Sequence, residues 1–409
     1  MLFKSSGAYI YLTVAQEIEY AALATYLNNY DSIDAPITVP FDMFQSTSYR
    51  FSLSVANFLD IGSVDYTTAS VDVTVIDAAS STTPSVNFDG PFVRTVRAFD
   101  DFSVGANGLT TIAEAGISRE QIELIDSLQK TGVLKIKIYA MIENNLEDVD
   151  YYLEQGPYKT DKLNVRSVKV YADGALGSRG ASMIEDYSDR RGYKGIIRTP
   201  IDSIKNLAYK LSGTEFQMNT HAIGDNANRI VLEAYGDALF NYRDPRWRVE
   251  HAQVINENDI DLFNQKIIPS VQPTHATSDM YWLYDRVGKK RANLAYAYKE
   301  LLTRSKVIAF GTDFPVEDIS PIMTFYSAVA RKDLNGYPSE GFQMENSINR
   351  ADALYAMTVF GAYANFEENE KGSIEVGKSA DFIILDNDLI ISEENKIPFT
   401  KTVATFIDG

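Results

Sequence analysis

The feature that most constrains this chain is a strand-like run that ends on a histidine and passes at once into a helix. Gln217-Met218-Asn219-Thr220-His221-Ala222-Ile223-Gly224-Asp225 reads as a strand through His221, a turn at Gly224 and a helix start at Asp225. Aspartate is a favoured N-cap, and Ile230, Val231 and Ala234 give the following helix an apolar face. Arg246-Trp247-Arg248-Val249-Glu250-His251 repeats the arrangement, a short strand again closing on a histidine, in a chain that has only three. A side chain at the end of a parallel strand points out of the carboxyl edge of its sheet, where α/β folds place their chemistry.

The same punctuation runs from residue 104 to residue 313. Strands are expected at 109–113, at 134–138 (where Leu134, Ile136 and Ile138 alternate), and at 165–171, 217–221, 246–251, 267–272 and 306–311. Ser118-Arg119-Glu120-Gln121 is a capping-box signal ahead of the stripe Ile122, Ile125 and Leu128. Further helices are expected at 146–154 (ended by Gly156), 202–211, from 225, 258–264 and 294–302. Seven strands in strict alternation with helices predict an α/β chain, a parallel (β/α)8 TIM-like barrel whose eighth strand lies upstream. An open doubly wound sheet would carry a Gly-rich phosphate turn, and Gly174-Ala175-Leu176-Gly177-Ser178-Arg179-Gly180 lacks that spacing.

Either side of this region the text changes. Within residues 1–103, 13–29 is alanine-rich and helix-like, Val71, Val73 and Val75 alternate as a half-exposed strand, and Ser80-Ser81-Thr82-Thr83-Pro84 is a loop by composition. The barrel is expected over 104–365, closing on a helix at 349–364 with Ala351, Leu354, Met357 and Thr358 on one face. Over 366–409, paired glycine turns, the run Phe382-Ile383-Ile384-Leu385 and a partner at 402–407 predict strands of a small β-sandwich domain. That domain is incomplete if its N-terminal partner strands are missing, and its apolar edge would then favour a homo-oligomer.

Composition excludes several classes. A formal net charge of −18 argues against nucleic-acid and anionic-membrane partners, both of which would repel the chain. With no cysteine there is neither a thiolate metal site nor a cysteine nucleophile. No apolar run reaches a transmembrane length and no secretory signal is visible, so a soluble protein is expected, with the cytoplasm favoured over export.

Four strand ends carry groups capable of chemistry: Lys169, His221, His251 and Asp313. A lone strand lysine ordinarily snorkels to solvent, a lone buried histidine is ordinarily a hydrogen-bonded core residue, and an aspartate after Gly-Thr is ordinarily a loop cap. Four of them at one mouth make coincidence a poor account. Neutral imidazoles bind divalent zinc, and a carboxylate serves as ligand or proton acceptor. A lysine joins such a site only as an anion, for instance as a carbamate. A bound divalent metal would acidify water near neutral pH, and Asp313 would take its proton.

Several segments together resemble the amidohydrolase superfamily, and most closely its N-substituted formamide deformylase-like branch (amidohydrolase family 3). They are Lys169-Val170-Tyr171-Ala172-Asp173-Gly174-Ala175-Leu176-Gly177-Ser178-Arg179, His221-Ala222-Ile223-Gly224-Asp225, Arg248-Val249-Glu250-His251-Ala252-Gln253, Gln272-Pro273-Thr274-His275 and Gly311-Thr312-Asp313-Phe314-Pro315-Val316. The resemblance covers roughly residues 104–409, in the family's order. It implies a metal-dependent hydrolase of a non-peptide C–N bond in a small amide or formamide. Lys169 would be the carboxylated bridging ligand, His221 and His251 metal ligands, and Asp313 the catalytic carboxylate. The pocket loops would add His275 and Asp279, with Ser178 and Arg179 orienting a polar substrate end. Tyr281, Trp282 and Tyr284 read as a pocket wall or as packing, and Arg291 as a partner for a carboxylate. The family's His-x-His pair has no counterpart here, and residues 1–30 look like the segment that would follow it, which suggests a truncated start. With that pair lost, one tightly held divalent metal is expected, most simply zinc. The alternative is a metal-poor relative that keeps the fold as a binding or interaction module.

Overall fold

The computed structural model describes residues 101–409, with side chains from Val104 onward, and upstream of these only the backbone of five short strands. The chain divides into two compact units, Met1–Ala98 and Phe99–Gly409. In the first, Leu2–Ser5, Ala8–Val14 and Phe51–Ser54 form an antiparallel sheet, and Ile37–Thr38 pairs with Ser85–Val86. Thr13 and Val14, expected to open a helix, thus close a strand. The rest of that helix, the Val71, Val73 and Val75 strand and the 80–84 loop lie outside the described residues.

The second unit is built on seven parallel strands: β1 (Thr111–Ile117), β2 (Lys137–Glu143), β3 (Leu163–Tyr171), β4 (Gln217–Ala222), β5 (Trp247–His251), β6 (Ile267–Val271) and β7 (Ala309–Phe310). Each pairs with the next in chain order, and the short strand Tyr158–Lys159 runs antiparallel against β3. β5 and β6 are buried throughout and β2 at all but its last residue. The strand expected at 134–138 begins only at Lys137, and its burial is that of a parallel strand with both faces occupied. The sheet is strongly curled. Tyr139 on β2 donates to Gln217 Oε1 on β4 at 3.0 Å, and the Arg248 guanidinium on β5 lies 5.9 Å from the Tyr139 ring. In a flat sheet β2 and β5 would be about 14 Å apart. The described strands thus form a half-barrel, which suits the TIM-like expectation.

Its concave face is polar and paired. Arg248 donates to Glu250 Oε1 (2.7 Å) and Asn365 Oδ1 (3.0 Å), and Asn164 donates to Glu367 Oε1 (3.2 Å). Removing one partner of such a buried pair typically costs about 3–5 kcal/mol, because the remaining charge stays desolvated. At the opposite edge Lys137, at the start of β2, binds both Asp381 (2.7 Å) and Asp408 (2.6 Å). Those two aspartates bracket an antiparallel ribbon of β8 (Phe382–Leu385) and β9 (Thr402–Phe406), closed by stacking of Phe382 on Phe406 with centroids 4.4 Å apart. The ribbon bears out the strand pairing expected at the C-terminus.

Boundaries moved where local pattern and tertiary context disagreed. The capping box at Ser118 and Gln121 forms, opening the helix Arg119–Lys130. Asp225 is not an N-cap: Gly224 holds that position, and the Asp225 carboxylate accepts from the Ile184 N–H at 2.8 Å. The 349–364 helix breaks at Thr358 (φ −125°, ψ −89°) into Arg350–Met357 and Val359–Ala364. Its inward residues are Ala353 and Ala356, whereas Ala351 and Leu354 face outward, because small side chains allow the closer approach. The helix expected at 294–302 is Tyr298–Ser305, that at 258–264 shrinks to a 3-10 turn Ile260–Leu262, and β7 keeps only two residues of 306–311. Two helices after β6, Pro273–Asp279 and Leu283–Ala292, escaped the hydrophobic pattern, although Pro273 sits at a favoured first helical position.

Candidate active site

The carboxyl ends of β3 to β7 bring the chemistry-bearing groups together. Lys169, two residues before the end of β3, is buried (4% exposed), with its Nζ 5.0 Å from the centre of the Tyr171 ring. Burial pushes its pKa below the ordinary lysine value, against the pull of the Glu250 and Asp313 carboxylates. On β4, burial and then the Lys169 charge push the His221 imidazole down to about 3, so it is neutral. Its Nε2 lies 3.3 Å from Asp173 Oδ1, a contact without hydrogen-bond alignment, and that nitrogen is buried without a hydrogen-bond partner. The Asp173 carboxylate is meanwhile engaged by the backbone N–H groups of Ile223 (3.0 Å), Ser182 (2.8 Å) and Gly224 (2.8 Å), which tie the segment after β3 to the turn after β4. Burial raises its pKa to about 7 despite these bonds.

β5 ends with His251 at φ 74°, followed by Ala252 at φ 42°. Left-handed backbone at a non-glycine residue costs energy, and its persistence re-aims the imidazole at the strand end. His251 Nδ1–H donates to Gln272 Oε1 (2.7 Å), which leaves Nε2 as the basic nitrogen. Burial and the neighbouring His221 hold its pKa well below the ordinary value, and the two rings meet edge to face at 4.5 Å.

His275, in the helix that follows β6, has the opposite environment. Nε2 faces Asp313 Oδ2 at 3.2 Å and Nδ1 faces Glu317 Oε1 at 3.2 Å. Burial opposes its cation, but the two carboxylates win and lift its pKa to about 9. Asp313, three residues past β7 and also left-handed (φ 58°), keeps its carboxyl below the usual range: burial would raise it, and His275, His251 and Lys169 outweigh burial.

Donor atoms of His251, His275 and Asp313 lie within 4.8 Å of one another. A cationic His275 has no lone pair to give, so the donors there that are open to a cation are His251 Nε2 and the Asp313 carboxylate. Beside them stand the orphaned His221 nitrogen and a lysine whose charge is disfavoured. This donor set fits a divalent cation.

The remaining sequence-derived residues sit as follows. Asp279 accepts from Tyr296 Oη and Gln253 Nε2 (3.1 Å), one helical turn behind His275. Ser178 donates to its own turn at Ala175 O (3.2 Å), and Arg179 is paired with Asp189 (2.8 Å). Both groups are occupied within the loop. Tyr281 and Tyr284 are largely exposed, so neither walls a buried pocket. Arg291 serves the carbonyls of Val287, Glu185 and Asp186 in place of a carboxylate. Asp173, Gln272 and Glu317 received no role from the sequence. The first two lie inside the quoted motifs, directly after strands, and that position was the available signal.

The fold is thus of the α/β class, a curled parallel sheet that gathers imidazoles and a carboxylate at its carboxyl edge. The amidohydrolase family model matches residues 94–409, and the chain belongs to that family, in its family 3 branch. It is 33% identical over 269 residues to LONG AFTER FAR-RED 3 of Arabidopsis thaliana, covering 64% of this chain and 45% of that protein. It is 23% identical over 323 residues to the N-substituted formamide deformylase of Arthrobacter pascens, covering 74% and 57%. Among solved structures, an uncharacterized metal-dependent hydrolase from Pyrococcus furiosus superposes with a TM-score of 0.61 at 27% identity, covering 69% of this chain and 57% of that one. The chain spans about half the length of the curated relatives it matches. Family and neighbours suggest a divalent metal. Among the described residues, no helix is long and apolar enough to cross a membrane.

Proposed function

We propose that this chain is a zinc-dependent hydrolase of a non-peptide C–N bond in a small amide or N-substituted formamide. The observation that carries the reading is the meeting of two neutral imidazoles, His221 and His251, edge to face at 4.5 Å, with the His221 Nε2 unpartnered and Asp313 beside His251. His221 and His251, both neutral, would hold the cation together with Lys169. Burial keeps the Lys169 amine inclined to neutrality. A neutral amine adds carbon dioxide, forming an N–C bond and releasing one proton, and the resulting carbamate would be the lysine's ligating form. The bound cation would supply Lewis acidity, polarising the carbonyl and lowering the pKa of water.

Asp313 acts as general base and then acid, taking a proton from the attacking water and passing it to the leaving nitrogen. One amide and one water become one carboxylate, formate for a formamide, and one protonated amine. His275, cationic at neutral pH with its two ring nitrogens on Asp313 and Glu317 (3.2 Å each), orients the Asp313 carboxylate, and it would donate to a substrate carbonyl oxygen only by releasing one of them. The half-barrel would be completed by an eighth strand, and β8 with β9 would belong to a β-sandwich domain.

Metal analysis of purified protein, with amine release from a panel of N-formyl and N-acetyl amines, tests the reading. About one zinc per chain is expected, with activity lost by roughly 10²–10⁴-fold in Asp313→Asn while metal is retained. Protein without metal and without hydrolysis would instead favour a binding module, in which the His275–Asp313 pair is an end in itself.

A further inference from the structure

Arg198 ends the long irregular segment between β3 and the helix Ile201–Leu211, and its backbone is firmly placed. Its N–H donates to Ala172 O (2.8 Å), Asp173 and Ile197 form an antiparallel bridge, and Thr199 Oγ1 donates to Tyr171 O (2.8 Å). The guanidinium carbon lies 5.1 Å from the centre of the Tyr171 ring, which is itself 5.6 Å from the centre of the His221 ring. An exposed cation is therefore held one aromatic ring from the candidate centre.

Of the other arginines in this segment and its supporting helix, Arg190 lies over the Tyr193 ring (4.1 Å), whereas Arg198 is stacked on a ring that itself neighbours His221. Arg179 and Arg286 both grip Asp189, and Arg291 is spent on carbonyls. The nearby acids are committed too: Asp313 and Glu317 to His275, and Asp173 to three amides. Among the described residues Arg198 has its ring contact and no carboxylate partner. A guanidinium lying on a ring keeps its edge N–H groups directed outward, and a carboxylate can take two of them at once. The chain's net charge of −18 repels anions at long range, so any preference for an anion has to come from a local contact such as this one.

We propose that Arg198 is a subsite for a carboxylate on the substrate, so that the favoured class is small amides carrying a carboxylate close to the scissile nitrogen. The word substrate rests on the hydrolase reading above, whereas the anion subsite does not.

The test compares N-formylglycine with N-formylglycinamide, which differ in that charge alone, in wild type, Arg198→Met, Arg198→Lys and a control in the same segment, Arg190→Met. Wild type should favour the carboxylate in kcat/KM, chiefly through KM. That ratio should fall by about tenfold or more in Arg198→Met and recover in part in Arg198→Lys, as expected for loss of a charge-assisted hydrogen bond. Arg190→Met should keep the wild-type ratio. A ratio unchanged by Arg198→Met, or a wild type that favours the neutral amide, overturns the subsite. A parallel titration followed by NMR uses levulinate, a non-hydrolysable isostere of N-acetylglycine, against 4-oxopentanamide. If neither formyl compound is hydrolysed, the hydrolase reading fails. A levulinate preference that disappears in Arg198→Met then still supports the subsite, and the absence of any preference overturns it as well.

Discussion

His251 is buried and His275 nearly so, with ring centres 6.1 Å apart, yet they are held in opposite protonation states. His251 meets a neutral amide, Gln272, and a second imidazole, His221, so burial prevails and it stays neutral. His275 meets two carboxylates, and their hydrogen bonds overcome the same burial. The difference shows that at this mouth the partner, and not the depth, decides what a histidine can do. A neutral imidazole offers a lone pair to a cation, whereas a cationic one offers protons to oxygen.

The comparison breaks most completely at the neutral pair. Replacing His221 or His251 by alanine should take metal content from about one per chain to near zero, since two protein ligands do not hold zinc tightly. The intact mass of His221→Ala should be that of unmodified Lys169, because a carbamate without a cation loses carbon dioxide. Two tightly held metals in the wild type would mean that a ligand has been misassigned.

Asp173→Asn should act more gently. It keeps the size of the side chain but lowers the acceptor strength that organises the turn around His221. Metal affinity should fall roughly 10–100-fold, read by competition with a chelator, while the His275 side of the site is undisturbed. An unchanged affinity would separate Asp173 from the imidazole it touches.

The smallest effect is on pH. The His275 pKa stands near 9 against an ordinary 6.5, so its ion pairs stabilise the fold fully below about pH 6.5 and are lost as pH rises through 9. Metal-free protein should lose about 1–2 kcal/mol of unfolding free energy across that window, measured by urea titration. His275→Gln should abolish this slope, and Glu317→Gln should shift it to lower pH. A flat wild-type profile would remove the charge from His275.

Much of this was legible beforehand. Strand–helix alternation and the capping box at Ser118 are local, period-driven signals, and all seven strands appear in the expected order. Placing polar residues at strand ends was likewise enough to single out Lys169, His221, His251 and Asp313. The misses share one cause. Where packing was made by small residues, as at Ala353 and Ala356, or by polar helices such as Pro273–Asp279, the hydrophobic period carried little information. Arg179 looked available for a substrate because Asp189 is joined to it through a loop fold that no periodicity encodes.

The amino-acid order by itself determined the parallel α/β class and the strand ends that carry reactive groups, because both follow from spacing within a few residues. Tertiary structure decided the charge of each group. His275 meets Asp313 38 positions away and Glu317 42 positions away only because the sheet curls and the segments after β6 and β7 lie side by side. The left-handed backbone at His251 and Asp313 and the stacking of Arg198 on Tyr171 arise in the same way. Contacts of this kind are set by closure of the chain in space, and burial then gives them their electrostatic weight.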